Sequence, residues 1–232
     1  MQLFYCPGIN QGDDFLDIEE SRHCVKVLRK KTGDLINITD GLGNFYQAEL
    51  ADLNSKKCFF KILSSKSVKK NNYSIHIAIA PTKNSDRIEW FIEKAVEIGV
   101  DKISLIQTSY SERKKINLDR IKKKAISAMK QSVRAFLPEL ATMEKLSIFF
   151  NSAAEDQKFI AHLEDETTES LEHLATPGTS YLILIGPEGG FSDEEISMAK
   201  SNQIKIVKIG NHRLRTETAG IVACTILNNL NH

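Results

Sequence analysis

The chain has 232 residues, 41% of them hydrophobic, and its 31 Lys and Arg against 30 Asp and Glu leave a formal charge of +1. That length buries a real core as one large domain or two small ones, while the near-neutral total is silent about a polyanionic partner. Cys6, Cys24, Cys58 and Cys224 are scattered, with no C-x-x-C pair and no His at ligand spacing, which argues against a metal site and for reduced, buried thiols in a cytoplasmic protein. No apolar run approaches membrane-spanning length, and Met1-Gln2-Leu3-Phe4-Tyr5 does not read as the start of a signal peptide.

In chain order, Glu19–Leu28 predicts a helix with Val25 and Leu28 at helical spacing and Arg22, Lys26, Arg29 and Lys30 beside them. Asp34–Thr39, Asn44–Leu50 and Lys57–Leu63 are short β-type segments, the first two joined by a hairpin turn at Asp40-Gly41-Leu42-Gly43-Asn44. Ser64–Asn72 is polar apart from Val68 and reads as a linker. Strand-like Ser74–Ala80 precedes a helix at Asp86–Ile98, with Ile88, Phe91, Ile92 and Ala95 on one stripe, Gly99 as its stop and Trp90 nearly opposite the stripe. A strand at Lys102–Gln107 and a long helix at Leu118–Phe136 follow, the latter carrying Lys122, Lys123, Lys124, Lys130 and Arg134. Those lysines suit RNA contact or an ordinary solvated face equally well. Between Leu146 and Lys200 eleven acids oppose two lysines, so the rest of the chain is strongly positive. Such segregation permits a basic face without a basic isoelectric point. Leu182–Ile185 and Ile204–Ile209 are strands, each followed by a helix, and the alternation argues for a largely parallel α/β sheet.

Two stretches near the C-terminus carry the chemistry. Leu182-Ile183-Leu184-Ile185 runs into Gly186-Pro187-Glu188-Gly189-Gly190-Phe191-Ser192, and Ile209-Gly210 into Asn211-His212-Arg213-Leu214-Arg215-Thr216-Glu217-Thr218-Ala219. Glycines let a ligand approach the backbone, and two such loops in tandem suggest a pocket at the C-terminal edge of the sheet. The first loop lacks the Lys-Ser/Thr ending of a phosphate cradle, and Glu188 would set a carboxylate against phosphates. A neutral or cationic ligand suits it better; a purely structural turn is the competing reading, weakened by the second loop.

The GPEGGFS loop and the LRTETA element resemble those of the RsmE family of ribosomal RNA methyltransferases. Arg22-His23-Cys24-Val25-Lys26-Val27-Leu28-Arg29 is similar to an N-terminal element of that family, and Lys83–Val100 to another, so the resemblance spans essentially the whole chain. One departure is visible: the family's arginine two residues after the second loop's glycine is His212 here, and the charge has moved to Arg213.

The resemblance implies a SPOUT-type α/β domain at 73–232, its mainly parallel sheet covered by helices on both faces and its C-terminus in a trefoil knot. It implies a PUA-like β-barrel for RNA binding at 1–72. It also implies S-adenosyl-L-methionine as cofactor, N3 of a uridine in 16S ribosomal RNA of the small subunit as target, and a homodimer. On that basis Leu184, Ile185, Gly186, Gly190, Ile209, Gly210, Leu214, Thr218 and Ala219 are expected around the cofactor. Arg22, His23, Lys26, Arg29, Lys83, Arg87 and Arg213 are expected on RNA. Arg215 is the expected catalytic cation, with Glu217 either holding it by a charge-assisted hydrogen bond, the preferred role, or taking the imide proton. The rivals are a catalytically silent RNA-binding or ribosome-assembly protein of the same fold, and a methyltransferase for another RNA position such as a ribose 2′-oxygen.

Overall fold

The computed structural model describes residues 2–163 and 169–232, so Glu164, Asp165 and Glu166 of the acidic stretch lie outside the described residues. The chain divides into two compact units, one of residues 1–70 with 126–137, the other of 71–125 with 138–232.

In the first unit β1 (Leu3–Tyr5), β2 (Phe15–Leu16), β3 (Leu35–Thr39), β4 (Asn44–Leu53) and β5 (Cys58–Ser67) form a nearly closed, barrel-like sheet in the order β1-β3-β4-β5-β2. Strand periodicity explains its inside: along β4, Tyr46, Ala48 and Leu50 are buried while Gln47 and Glu49 face water. These residues join Phe4, Leu16, Ile36, Ile38 and Phe60 in one core. The turn between β3 and β4 is held by buried Asp40, whose carboxylate accepts from the amides of Leu42 (2.8 Å) and Asn44 (3.1 Å). Burial alone would raise the Asp40 pKa, but these donors and the Asn44 and Asn10 side chains hold it below the usual carboxylate value.

Three sequence boundaries move. The linker expected from Ser64 begins later, because Ser64–Ser67 pair with Asn44–Gln47 and extend β5. The expected helix at Glu19–Leu28 is α1 (Ile18–Arg22) followed by a π-helical turn at His23–Val27, closed by the Leu28 amide bonding to the His23 carbonyl five residues back. The long helix ends five residues before Phe136. Val133 takes a positive φ of 54°, and the Gly43 amide bonds to the Ala135 carbonyl, tying 135–137 to the β3–β4 turn.

The second unit contains β6 (Ser74–Ile79), α2 (Ser85–Ile98), β7 (Lys102–Gln107), the start of α3 (Leu118–Gln131), β8 (Glu139–Lys145), α4 (Leu146–Ser152), β9 (Gln157–Ala161), α5 (Leu171–Leu174), β10 (Ser180–Ile185), α6 (Asp193–Ser201), β11 (Lys205–Val207) and α7 (Thr216–Asn229). Its six strands are all parallel, in the order β11-β9-β10-β6-β7-β8. Strands so placed are buried on both faces, which is why β10 reads as an apolar run from Tyr181 to Ile185 and β6 as one interrupted only by His76. On one face Ala78, Ala80, Leu182 and Leu184 pack with Phe149 and Phe150 of α4 and Ile196 and Ala199 of α6. On the other, α2 and α7 pack together, with Gly220 of α7 set against Phe91 of α2 and Ile79 of β6.

The register aligns the C-terminal ends of four strands, Val207 beside Ala161, Ala161 beside Ile185, and Ile185 beside Ile79. Every loop leaving these residues therefore emerges at one edge of the sheet.

A polar cluster is buried on the α4 face. His76 sits 2.7 Å from the Ser104 hydroxyl through Nε2 and 2.5 Å from Glu155 through Nδ1. Burial would raise the Glu155 pKa, but its hydrogen bond to His76 holds it below the usual 4.5. A folded-state pKa depressed in this way adds stability above the unfolded value, and that stability is lost as pH falls through the folded one. The gap in urea midpoint between the wild type and Glu155→Gln should accordingly stay constant above pH 5 or so and narrow in more acid solution (on the order of the unfolded glutamate pKa and below). A gap that persists unchanged to about pH 3 would show that the carboxylate's charge is immaterial.

Candidate functional site

A cavity of about 350 Å³ opens at the aligned strand ends. Its walls come from Ala161–Leu163 after β9, Ile185–Gly190 after β10, and Val207–Gly210 with His212–Leu214 after β11, closed by Thr216 and Ala219 of α7. Ile185, Val207, Ile209, Leu214, Ala161 and Ala219 give apolar surface, the glycines give bare backbone, and Glu188, Lys208, His212 and Arg213 give charge or polarity. Volume and lining suit a small molecule of nucleoside size carrying an apolar ring and a few polar groups.

The first loop is shaped by its C-terminal half. Glu188 and Gly189 turn the chain so that the Gly190 amide reaches the Pro187 carbonyl at 2.9 Å, and Gly190 itself leaves the turn with φ +74°, a left-handed conformation that favours glycine. Phe191 then enters the core, and Ser192 with Glu195 forms a reciprocal capping box at the start of α6. The second loop is tied onto the first: the Thr216 hydroxyl donates to the Gly186 carbonyl (3.0 Å) and Arg213 donates to the Glu188 carbonyl (2.8 Å). Arg87 of α2 adds a third tie, its guanidinium 3.9 Å from Glu188 and 3.7 Å from Glu217.

Of the residues expected around a cofactor, Ile185, Gly186, Gly190, Ile209, Gly210, Leu214 and Ala219 line the cavity. Leu184 and Thr218 do not: the Leu184 side chain belongs to the core on the α4 face, and Thr218 lies on α7 between two lining residues. Sequence reasoning missed Ala161, His162 and Leu163, because β9 (Gln-Lys-Phe-Ile-Ala) is too short and polar at its start to announce itself as a strand.

Arg215 is the N-terminal flanking residue of α7, exposed, and its side chain has no hydrogen bond or ion pair among the described residues. It stands between Leu214 and Thr216, both of the cavity wall, without lining the wall itself. The expectation that Glu217 holds Arg215 is corrected: the Glu217 carboxylate faces Arg87, one oxygen at 3.7 Å, while its other oxygen is buried without a hydrogen-bond partner. Positions two apart at a helix start do not face one another. Lys83 is exposed and paired with Glu112 (2.9 Å), a hydrogen bond that raises its pKa further. Thus Lys83, Arg87 and Arg213 belong to the loop edge of the second unit, two of them engaged with the loops themselves.

In the first unit Arg22 at the end of α1, Lys26 in the π-helical turn and Arg29 just after it are all exposed. His23 is partly covered by Phe4, with ring centroids 6.2 Å apart. Burial and the Lys130 charge lower its pKa, favouring neutral imidazole. Among the described residues no group of three or more His, Cys, Asp or Glu could hold a metal ion, and no helix is long and apolar enough to cross a membrane.

The family model described as an RNA methyltransferase domain matches residues 69–228, and that of an RNA methyltransferase PUA domain matches 16–63. The ribosomal RNA small subunit methyltransferase E of Buchnera aphidicola is 31% identical over 225 residues, covering 92% of this chain and 86% of that protein. A crystal structure from Porphyromonas gingivalis, described as a "probable rRNA-methyltransferase", superposes with a TM-score of 0.93 at 38% identity, covering 100% of this chain and 98% of that one. A structure from Legionella pneumophila, described as a "putative methyltransferase" in complex with the bound cofactor SAM, superposes with a TM-score of 0.88 at 28% identity, covering 100% of this chain and 98% of that one.

Proposed function

Because the chain belongs to the RsmE family of RNA methyltransferases, we propose that it transfers the methyl group of S-adenosyl-L-methionine to 16S ribosomal RNA of the small subunit, at N3 of a uridine. The observation that carries this reading is the cavity itself. It is of nucleoside size, walled by two glycine-bearing loops, and flanked by an arginine whose side chain has no partner among the described residues.

The cavity fits the cofactor by its chemistry: Ile185, Ile209 and Leu214 offer an apolar slot for adenine, and Glu188 tolerates a cationic sulfonium where a polyphosphate would be repelled. When bound, adenosylmethionine supplies an already activated methyl electrophile. What the protein adds is position and charge. Uracil N3 lies on the edge used for pairing, so the target base must be unpaired or extruded to reach the site. Methylation at N3 requires loss of the imide proton, which spreads negative charge over the neighbouring oxygens until N3 takes the methyl group. Arg215, whose side chain has no partner among the described residues, is available to stabilise that charge as a cationic donor. Glu217 positions Arg87, and through it both loops, while solvent suffices to take the proton.

Exposed Arg22, Lys26 and Arg29 are read as phosphate contacts from the PUA-like unit, with His23 as a neutral neighbour. Lys83 extends the basic edge of the other unit, while Arg87 and Arg213 act mainly as struts between the loops. We read the working form as a cytoplasmic homodimer, supported by the partly exposed apolar residues Ile221, Val222 and Ile226 of α7.

The test is methyl transfer from labelled adenosylmethionine to small-subunit particles lacking the modification, followed by nucleoside analysis. N3-methyluridine is the expected product. A ribose-methylated nucleoside would keep the reaction class and discard the uridine N3 target. Absence of both transfer and cofactor binding would leave a silent RNA binder.

A further inference from the structure

We propose that Tyr110 is the stacking platform on which a nucleobase of the RNA substrate lies beside the cavity, a subsite that rests on the RNA-methyltransferase reading. The tyrosine follows β7, whose neighbour β6 also pairs with β10, so it emerges at the same edge as the cavity loops. It is 54% exposed, and its hydroxyl has no partner among the described residues. A single exposed aromatic is unremarkable on a protein surface. What distinguishes this one is how firmly its backbone is held.

The turn that carries Tyr110 is braced from three directions. Within it, the Ser111 hydroxyl accepts from the Thr108 amide at 2.9 Å, and the Ser111 amide donates to the Thr108 carbonyl at 3.1 Å. From α6, Glu195 accepts from the Ser109 amide at 2.7 Å, using the carboxylate that also caps its own helix. From the turn itself, Arg113 reaches out to the carbonyls of Thr82 (3.1 Å) and Lys83 (2.5 Å) ahead of α2. The turn is thereby locked to the start of α6 and to the loop ahead of α2, yet the ring it presents is left in water. A ring carried on backbone already held in place costs less ordering entropy when a ligand covers it than one on a free loop.

The ring also has a fixed relation to the cavity. A Cβ built on Gly189 would stand 3.1 Å from the Tyr110 Cβ and 3.4 Å from its ring carbon Cγ. Gly189 is a wall residue, so the root of the tyrosine packs directly on the outside of that wall. A base stacked on the ring would keep its pairing edge free, and that edge carries the N3 to be methylated. The charges nearby suit a nucleic acid. Arg113, Lys114 and Lys115 follow directly, and Lys83 lies alongside with Glu112 as its partner. Aromatic rings interleaved with cations are the usual platform for single-stranded nucleic acid.

The experiment compares Tyr110→Ala, Tyr110→Phe and Tyr110→Trp with the wild type. Filter binding to unmodified small-subunit particles gives an RNA Kd without requiring turnover, and steady-state methyl transfer gives KM and kcat. Calorimetry with adenosylmethionine, thermal melting and sedimentation report the cofactor site, the fold and the oligomeric state. The alanine variant should raise the RNA Kd and KM about ten- to a hundredfold, the range for loss of one base–aromatic stack. Phe and Trp should stay within about threefold of wild type, since stacking needs the ring and not the hydroxyl. Cofactor affinity, melting and sedimentation should be unchanged throughout. An alanine variant that binds RNA like wild type overturns the proposal. So does a phenylalanine variant as impaired as alanine, or an alanine variant that loses the cofactor or changes oligomeric state. A wild type that binds RNA but transfers no methyl group would instead sink the proposed function, leaving the binding comparison to judge Tyr110.

Discussion

Replacement of Arg215 by alanine should lower the single-turnover rate of methyl transfer by about 10²–10³-fold, the usual cost of deleting one hydrogen-bond donor from a site of developing negative charge. Three features of the structure set that expectation. Arg215 flanks the start of α7 between two residues of the cavity wall, so the backbone fixes where its side chain begins. Its guanidinium has no internal partner among the described residues, so it is available to substrate and its loss orphans no buried group. Because it does not line the cavity, adenosylmethionine affinity should stay within about threefold and RNA binding should fall only modestly. Arg215→Lys should recover part of the rate, since a lysine keeps the charge without the planar fork. A rate unchanged in the alanine variant would remove Arg215 from the chemistry. Parallel loss of rate and cofactor affinity would make it a structural residue of the loop.

The largest effect on stability is expected at Gly220. In an exposed helix a glycine-to-alanine change stabilises by up to about 1 kcal/mol through helix propensity. Here the new methyl would stand 2.5 Å from Cε2 and 2.9 Å from Cδ2 of Phe91, and 3.3 Å from Cδ1 of Ile79. Phe91 is fully buried, so its ring cannot swing into solvent to make room. Overpacking of this kind costs roughly 1–3 kcal/mol, which exceeds the propensity gain. Gly220→Ala should therefore melt several degrees lower, with Gly220→Val lower still. Equal or higher melting temperature would mean that α2 and α7 can separate freely.

Much of the second unit was readable because its central strands and amphipathic helices announce themselves by periodicity. The pattern marks β7 at Lys102–Gln107 to the residue and α2 to within one residue of its start at Ser85, where Asn84 supplies the cap. The strands that were missed lack such a signal. β8 (Glu-Leu-Ala-Thr-Met-Glu-Lys) lies at the sheet edge, partly exposed along its length, and neither alternates cleanly nor runs apolar. The loops were legible as a ligand site because two glycine-bearing turns follow two apolar strands. What no local pattern carries is the partner of a charged side chain. Arg87 and Glu217 lie far apart in the sequence and meet only once α2 and α7 pack together, whereas the closer arginine at 215 makes no ion pair with Glu217. The N-terminal helix was found, but the switch to π-helical bonding at His23 depends on the packing beneath it, with Cys24 fully buried in the barrel core.

The alignment of Val207, Ala161 and Ile185 has a consequence for the order in which the molecule is made. No single segment encloses the cavity: its walls are drawn from Ala161 to Ala219 and come together only after β9, β10 and β11 have found their register. Unfolded and partly folded chains thus present nothing for the cofactor to hold, and ligand binding draws on the fully assembled state alone. Non-local strand pairing of this kind is also the slow part of folding. The concentration of cofactor in the cell would then act on the last stage of assembly, slowing the unravelling of finished molecules while leaving the earlier steps of their synthesis untouched.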